Sequence, residues 1–239
     1  MTGEIVVLES LDDVAQALAD QFVVDAQGAV AERGCFYVAL AGGSTPRPAY
    51  KLLAREPRID KVQWKDVFIY FGDERCVPPH DDQSNYKAAN ETFLTATNIP
   101  LENIHRMKGE DDPQTAAAQY MQDILRDLGD PPQFDLILLG MGPEGHTASL
   151  FPGSVDPHDT SLVAAPFVAK FGTYRLTLTP RAINAARHVV IATAGEEKAQ
   201  ALAAALHGAY DPNTYPVQLI QPVDGRLTWL VDRTAAGQL

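Results

Sequence analysis

The chain has 239 residues, of which 46% are hydrophobic and 21% are charged. This composition is ordinary for a globular protein and excludes a largely disordered chain. Nineteen basic residues against 31 acidic ones give a formal net charge of -12, which argues against a nucleic-acid binder and against a surface that grips anionic lipid. An anionic ligand would therefore need a local cluster of basic residues, because the net negative charge of the whole chain repels anions.

The sequence carries no marks of export or of a membrane. Its two cysteines, Cys35 and Cys76, make no disulfide framework, and we expect free thiols in a reducing compartment. Residues 1–5 have no basic segment and open no long apolar run, so no signal peptide is expected. The longest apolar runs fall short of the ~18–20 residues of a membrane span. We predict a cytoplasmic location, with neither membrane nor nucleic acid as a partner.

Short apolar runs that end at glycine or proline alternate with helical patterns along the chain. The runs are residues 36–41, 67–71, 134–139, 175–179, 188–193 and 227–231. Nearly continuous apolar runs are typical of strands covered on both faces, as in a parallel sheet. No linker, repeat or low-complexity stretch divides the chain, so residues 1–239 are expected to form one domain.

The gaps between these runs have helix signals. Ser10, followed by Asp13, predicts a capped helix start, and Asp112 with Pro113 predicts another, which Gly129 ends. A third apolar stripe lies over residues 199–206. Strands that alternate with helices predict an α/β fold, a doubly wound, mostly parallel sheet with helices on both faces. Ligands bind such sheets beyond the carboxyl ends of the strands, so the residues after each strand carry the functional prediction.

The segment after the first apolar run has the composition of a phosphate site. Gly42 and Gly43 let the backbone approach a ligand, and Ser44 or Thr45 is expected to cap a helix that Pro46 opens. A helix start with free N–H groups and hydroxyls binds phosphate readily. The segment is neither a Walker motif nor G-x-G-x-x-G, and an ordinary strand–turn–helix connection explains the same residues.

Charged residues follow the second run directly. Asp73, Glu74 and Arg75 lie where catalytic groups are expected, and Ser84 is a candidate cap for the next helix. The alternative is a solvated loop before that helix.

A histidine follows the glycine-rich end of the third run. His146 is predicted to lie at the mouth of the sheet, where it can act as a general base, with Glu144 to orient it or fix its tautomer. Such a base would make the rate rise with pH through an apparent pKa of roughly 6–7. A purely structural histidine is the alternative. The other histidines are interpreted as incidental: His80, His105, His158, His188 and His207. Spacing predicts no metal site.

Arg175 and Lys198 are the candidates to bind an anion from the later strands. A lysine in the first turn of a helix opposes the helix dipole, and an anion bound at that helix start would justify it. A plain solvated lysine is the alternative. Arg175 begins its strand, so it could also lie at the opposite edge of the sheet. Asn184 is interpreted as a turn or cap residue, and Trp64 and Trp229 as core.

Taken together, these segments resemble the 6-phosphogluconolactonases. The matching segments are Ala41–Pro46, Gly72–Pro78, Asp82–Tyr86, Gly145–Gly153 and Arg175–Thr179. The run Gly-His-Thr-Ala-Ser-Leu-Phe-Pro is the most specific, whereas Gly-Gly-Ser-Thr-Pro is shared with glucosamine-6-phosphate deaminases, which have the same sheet. In place of the family's usual Asp-Gly-His, this chain has Glu144-Gly145-His146, which keeps the carboxylate with one more methylene of reach.

The resemblance implies hydrolysis of 6-phosphoglucono-δ-lactone to 6-phosphogluconate, a step of the pentose phosphate pathway, without a cofactor. It assigns His146 as the catalytic histidine and Arg75 as a substrate contact. We add Asp73 and Glu144 as candidate catalytic residues. Gly42, Gly43, Ser44, Thr45, Arg175 and Lys198 are the candidates for binding the substrate and its phosphate. The partner is thus a small sugar-phosphate lactone, and a monomer is the simplest expectation for the oligomeric state.

Two other functions remain open at this point. A sugar-phosphate isomerase or deaminase would use Asp73 or Glu74 to move a proton between C1 and C2. A sensor domain with an inactive site would usually carry a DNA-binding segment, for which the chain has no basic helix. An assay that compares lactone hydrolysis with ammonia release from an amino sugar distinguishes the two enzymes.

Overall fold

The structure, a computed structural model, describes residues 3–154, 156 and 159–239. Within that part of the chain ten strands are formed. They are β1 (Glu4–Leu8), β2 (Phe36–Leu40), β3 (Val67–Phe71), β4 (Asp73–Arg75), β5 (Leu136–Gly140), β6 (Val163–Ala164), β7 (Phe167–Val168), β8 (Thr173–Leu178), β9 (His188–Thr193) and β10 (Arg226–Asp232).

The same residues form six α-helices, with 3₁₀ turns between them. The helices are α1 (Leu11–Arg33), α2 (Arg47–Leu53), α3 (Asn85–Thr92), α4 (Pro113–Leu128), α5 (Pro180–Asn184) and α6 (Ala199–His207). The 3₁₀ turns are Ile59–Lys61, Trp64–Asp66, Leu94–Ala96, Leu101–Asn103, Glu196–Lys198 and Pro216–Leu219. In the described residues, no helix has the length and apolarity that crossing a membrane requires.

Six strands form one parallel sheet in the order β1-β10-β9-β5-β2-β3. From β2 the chain winds outward to β3, and it then returns to the other side of β2 as β5 before it continues to β9 and β10. The winding direction therefore reverses between β2 and β5. In an open α/β sheet this switch point opens a crevice at the carboxyl ends of the two strands.

The sheet is covered on both faces, as the apolar runs predicted. Val38 and Leu40 of β2 pack with α1, through residues such as Leu18 and Phe22, on one face. Ala39 of β2 belongs to the opposite cluster, with α4 and α6. Because side chains alternate along a strand, a strand between two helical layers must be apolar at nearly every position. The predicted fold class is confirmed.

The predicted helix signals also lie where they were expected. The side chain of Ser10 accepts a hydrogen bond from the backbone N–H of Asp13 at 3.3 Å. Asp112 caps α4 in the same way, Pro113 is the first helical residue, and Gly129 ends the helix with φ of 74°. Trp64 and Trp229 are buried in the core.

One predicted strand belongs to a different sheet, and four strands, β1, β4, β6 and β7, were not predicted. The run 175–179 forms most of β8, which pairs antiparallel with β4, β6 and β7 in a small second sheet. Leu176 and Leu178 are fully buried in this small sheet. For that reason the run is as apolar as a strand of the main sheet, and the sequence alone could not tell the two sheets apart. The edge strand β1 is half exposed and has no comparably buried run.

Candidate active site

A cleft of about 470 Å³ lies at the switch point, beyond the carboxyl ends of β2 and β5. Among the described residues, nine of the ten predicted site residues line it: Gly42, Gly43, Ser44, Thr45, Asp73, Arg75, His146, Arg175 and Lys198. Glu144 lies beside the cleft, in contact with His146. Residues from five separate segments of the chain therefore meet where the fold places a ligand site.

His146 and Glu144 form a close imidazole–carboxylate pair at the cleft. Nδ1 of His146 lies 3.1 Å from Oε2 of Glu144, a close contact without the alignment of a good hydrogen bond. The imidazole stacks on Phe151, with ring centroids 4.1 Å apart, and its side chain is 24% exposed. Nε2 of His146 makes no hydrogen bond to any residue that the structure describes, so this nitrogen is free to meet a ligand in the cleft.

The surroundings of the pair set its protonation. Burial alone would raise the pKa of Glu144, but the hydrogen bond from Lys170 and the nearby His146 lower it to about 2. Burial lowers the pKa of His146, and the negative charges of Glu144 and Asp73 offset part of that effect. At neutral pH the pair is thus an ionised carboxylate beside a neutral imidazole. The carboxylate favours the tautomer with its proton on Nδ1, which leaves the lone pair on Nε2.

Gly142 makes room for this imidazole. A Cβ atom at position 142 would lie 2.0 Å from Nδ1 and Cε1 of His146 and 2.9 Å from Oε2 of Glu144. Any side chain there would displace the ring, because real Cβ contacts do not reach such distances. The glycine is therefore required by the close approach of the base to the end of β5.

Asp73 is held at the cleft by two polar neighbours. Its Oδ2 accepts a hydrogen bond from the hydroxyl of Ser149 at 2.7 Å, and its Oδ1 accepts one from the side-chain amide of Asn85 at 3.1 Å. Asn85 is itself buried and also donates to the backbone carbonyl of Asp73. The carboxylate is fixed near His146, where its charge favours the protonated imidazole.

Glu74 has a structural role instead. Only 2% of this residue is exposed, and its carboxylate accepts hydrogen bonds from the backbone of Arg75, Asn85 and Tyr86 and from the hydroxyl of Ser84. The last three partners belong to the start of α3, where a carboxylate satisfies the free N–H groups. Glu74 therefore does not face the cleft as a proton-transfer group. Ser84 caps α3, as predicted.

Arg75 and Arg175 both reach the cleft. They are directly opposite each other in the antiparallel pair of β4 and β8. Arg175 is only 9% exposed, and in the described residues the guanidiniums of Arg75 and Arg175 donate to backbone carbonyls, of Gln83 and Tyr174, and not to carboxylates. Burial and the neighbouring charge of Arg75 lower the pKa of Arg175. The possibility that Arg175 lies at the opposite sheet edge is therefore excluded, because β8 belongs to the small sheet and its start faces the cleft.

Lys198 approaches the cleft from the far side. It ends the 3₁₀ turn Glu196–Lys198 and directly precedes α6, so it lies just before the helix and not within its first turn. Its side chain is largely buried, and its Nζ lies 3.8 Å from Glu197, a distant ion pair. A mostly buried ammonium with so weak a partner is poised for an anion.

The loop after β2 approaches the cleft through its backbone. A Cβ atom at Gly42 would lie 2.0 Å from the side-chain oxygen of Asn85, and Gly43 has φ of 90°, so both positions favour glycine. The predicted helix cap is wrong: α2 begins at Arg47 after Pro46, and neither Ser44 nor Thr45 caps it. Both residues nevertheless line the cleft.

The structure adds residues that the sequence did not single out. Lys170 donates a hydrogen bond to Oε1 of Glu144, and the ring of Phe171 lines the cleft. Both lie in the turn between β7 and β8, and no local pattern connects that turn to His146. Asn184 bonds to backbone groups of Leu219 and Gln221, in keeping with a turn residue.

The remaining predictions concern histidines and metals. His188 is buried against Asp25, and His105 stacks on Tyr70, so both are structural. His158 lies outside the described residues. Throughout the part of the chain that the structure describes, no three His, Cys, Asp or Glu side chains form a group that could hold a metal ion.

Comparison with known proteins gives the family. A family model described as glucosamine-6-phosphate isomerases/6-phosphogluconolactonase matches residues 9–229. A 6-phosphogluconolactonase from Synechocystis sp. is 40% identical over 220 residues, which cover 88% of this chain and 88% of that protein. The chain belongs to the glucosamine-6-phosphate isomerase/6-phosphogluconolactonase family.

Solved structures agree with this assignment. A 6-phosphogluconolactonase from Trypanosoma cruzi superposes with a TM-score of 0.88 at 26% identity, over 100% of this chain and 98% of that one. A monomeric glucosamine-6-phosphate deaminase superposes with a TM-score of 0.85 at 20% identity, over 99% of this chain and 100% of that one. The second likeness concerns the fold alone.

Proposed function

We propose that this chain hydrolyses 6-phospho-D-glucono-1,5-lactone to 6-phospho-D-gluconate, the lactone-opening step in the oxidative branch of the pentose phosphate pathway. The observation that carries the proposal is the position of the His146 imidazole, held between Glu144 and Phe151 in a cleft that also contains three basic side chains. A lactone is an activated ester, so its hydrolysis needs only a base for water and positive partners for oxygen.

The base acts first on water. Nε2 of His146 takes a proton from a water molecule as the water oxygen bonds to the lactone carbonyl carbon, and the carbonyl oxygen becomes an oxyanion. The imidazolium that forms is stabilised by the carboxylate of Glu144 at Nδ1. When the tetrahedral intermediate collapses, the bond from C1 to the ring oxygen breaks. His146 then returns its proton to that leaving oxygen, so one water is consumed and the base is regenerated.

Positive groups of the cleft complete the reaction. Arg75, or backbone N–H groups of the glycine-rich loops, is assigned to the oxyanion. Asp73 is assigned to the imidazolium, since its fixed charge favours the protonated ring. The chain has no nucleophile elbow of the G-x-S-x-G type, so direct attack by water is proposed and not an acyl-enzyme.

The substrate phosphate is assigned to the basic residues and the loop after β2. Arg175 and Lys198 are mostly buried cations, and among the described residues the only ion pair of either is the distant contact of Lys198 with Glu197. The backbone at Gly42 and Gly43 and the hydroxyls of Ser44 and Thr45 add hydrogen-bond donors. A protein with a net charge of -12 must concentrate positive groups in this way to hold a dianion.

The proposal includes a monomer as the active form of the protein and the cytoplasm as its location. Its two cysteines are free thiols in the structure, in keeping with a reducing compartment. No cofactor takes part in the proposed steps.

A two-substrate assay tests the proposal against the deaminase alternative. The purified protein is given 6-phosphogluconolactone, with spontaneous hydrolysis subtracted, and separately glucosamine 6-phosphate, with ammonia as the readout. We expect rapid lactone opening and no ammonia. Of the two candidate proton-transfer carboxylates, Glu74 is buried at the start of α3 and Asp73 is assigned to the imidazolium of His146. Ammonia release without lactone opening would reject the proposal and return Asp73 to the role of base.

A further inference from the structure

The turn between β7 and β8 reaches the catalytic pair from outside the cleft. Its residues 169–172 close a tight loop in which the backbone N–H groups of Phe171 and Gly172 both donate to the carbonyl of Val168 at 3.0 Å. Gly172 has φ of 63°, a conformation that suits glycine. The turn is thus a defined element that presents the side chains of Lys170 and Phe171 in one direction.

Both side chains of this turn contact active-site groups. Nζ of Lys170 donates a hydrogen bond to Oε1 of Glu144, the oxygen that does not face His146. The ring of Phe171 packs edge-on against Phe151, with centroids 5.6 Å apart, and Phe151 is the ring on which His146 stacks. The turn therefore contacts the surroundings of His146 in two ways: the ammonium of Lys170 binds Glu144, and the ring of Phe171 packs against Phe151.

The carboxylate of Glu144 bridges two basic groups. One oxygen binds the ammonium of Lys170, and the other lies 3.1 Å from Nδ1 of His146. A carboxylate on a flexible Glu side chain has several rotamers of similar energy, so a second partner is needed to fix where it points. Lys170 supplies that partner, and it does so without lining the cleft itself.

We propose that Lys170 is a positioning residue for His146: its bond to Glu144 fixes the carboxylate that sets the orientation and tautomer of the base. This inference rests on the proposed function, since it assigns the residue a role in the same lactone hydrolysis. Phe171, in the same turn, supports the ring on which the imidazole stacks.

The charges around the imidazole predict how its titration responds. His146 is faced by Glu144 and Asp73, which favour its protonated form, and by Lys170, which disfavours that form. The cations Arg75, Arg175 and Lys198 also line the cleft. Removal of Lys170 takes away one positive charge. The carboxylate of Glu144, no longer held by Lys170, is then free to pair with the protonated imidazole, so the pKa of His146 should rise.

Two simpler roles for Lys170 make different predictions. The Lys170 side chain is 58% exposed, so it could form only an ordinary surface ion pair, which contributes ~0–1 kcal/mol and has no effect on the base. It could instead contact the substrate directly, in which case its loss would raise KM and leave the titration of the free protein unchanged.

The experiment uses Lys170→Met, with Lys170→Arg as the conservative variant. Lys65→Met, an exposed lysine of the 3₁₀ turn Trp64–Asp66, controls for the loss of one positive charge. The pKa of His146 is measured in the substrate-free protein by NMR of the imidazole, and kcat and KM are measured on 6-phosphogluconolactone across pH. Because the NMR titration needs no turnover, it tests the inference even if the proposed substrate is wrong.

We expect Lys170→Met to raise the pKa of His146 and to shift the acidic limb of the kcat profile upward in parallel. Its kcat should fall by roughly 10-fold, less than the ~10²–10⁴-fold that a general base contributes, with little change in KM. Lys170→Arg should retain most of the wild-type kcat and a His146 pKa close to that of the wild type. Lys65→Met should match the wild type in both quantities. An unchanged His146 titration in Lys170→Met, or a rise in KM alone, would overturn the inference.

Discussion

Arg75 of β4 and Arg175 of β8 are directly opposite each other across an antiparallel strand pair, and both line the same cleft. Like charges in such cross-strand positions destabilise a sheet. In the described residues both guanidiniums donate to backbone carbonyls and not to carboxylates, and burial together with the charge of Arg75 lowers the pKa of Arg175. An anionic substrate between them would relieve this repulsion, so the pair is best explained by ligand binding.

The phosphate assignment is tested through Lys198. A charge-assisted hydrogen bond contributes ~1.5–3 kcal/mol, so Lys198→Ala should lower kcat/KM for 6-phosphogluconolactone by roughly 10–150-fold. The same substitution should matter far less for the unphosphorylated gluconolactone, which has no phosphate to lose. The measurement is the steady-state rate of the wild type and of Lys198→Ala on each of the two lactones. Lys65→Ala controls for charge, and equal losses on the two lactones would show that Lys198 does not contact the phosphate.

The pH dependence of the rate follows from the burial of His146. The base works in its neutral form, so kcat/KM should rise with pH through the pKa of His146 in the free protein. Because burial lowers that pKa, the midpoint should lie below the ~6.5 of an ordinary histidine, at or below the range of roughly 6–7 expected from the sequence. The measurement is a pH–rate profile with hydroxide-driven lactone opening subtracted. A midpoint well above 7 would mean that another group is the base.

Gly142 is predicted to be essential for the position of the base. In Gly142→Ala the new Cβ would lie 2.0 Å from the His146 ring, so the ring must move by more than 1 Å. A displacement of that size can cost roughly 100-fold in rate. Gly140→Ala is the matched control, since the nearest atom to its Cβ is 3.9 Å away, at the carbonyl of Ala192. If Gly142 acts only through His146, the double variant Gly142→Ala/His146→Ala should be no slower than His146→Ala alone. A full further loss of rate in the double variant would show that Gly142 acts on another part of the site.

Chelation should leave the activity unchanged. The proposed steps use only a base, hydrogen-bond donors and cationic side chains of this chain, with no bound ion. The test is incubation with EDTA, followed by the lactone assay with and without added zinc. Loss of activity in the chelator with recovery in zinc would contradict the proposed mechanism.

The sequence predicted five of the six strands of the main sheet and most of the residues that line the cleft, because both have local signals. A strand buried on two faces is apolar at almost every position, as in residues 36–41, and the residues just after it must lie at one edge of a parallel sheet. The placement of His146 after a glycine-rich strand end followed from this rule alone.

The rest depends on contacts between distant segments. Arg175 reaches the cleft because β8 pairs with β4, a register that no local pattern encodes. The contact of Lys170 with Glu144 arises from a turn 26 residues away along the chain. Ser44 and Thr45 form no cap because α2 begins later than the proline suggested, at Arg47.

His146 carries the central claim, and its replacement tests that claim most directly. His146→Ala and the control His207→Ala, an exposed histidine at the end of α6, are compared with the wild type on 6-phosphogluconolactone, with spontaneous hydrolysis subtracted. We predict a loss of ~10²–10⁴-fold in the catalysed rate for His146→Ala, with an unchanged melting temperature and full activity in His207→Ala. A His146→Ala protein that opens the lactone at nearly the wild-type rate would contradict the account.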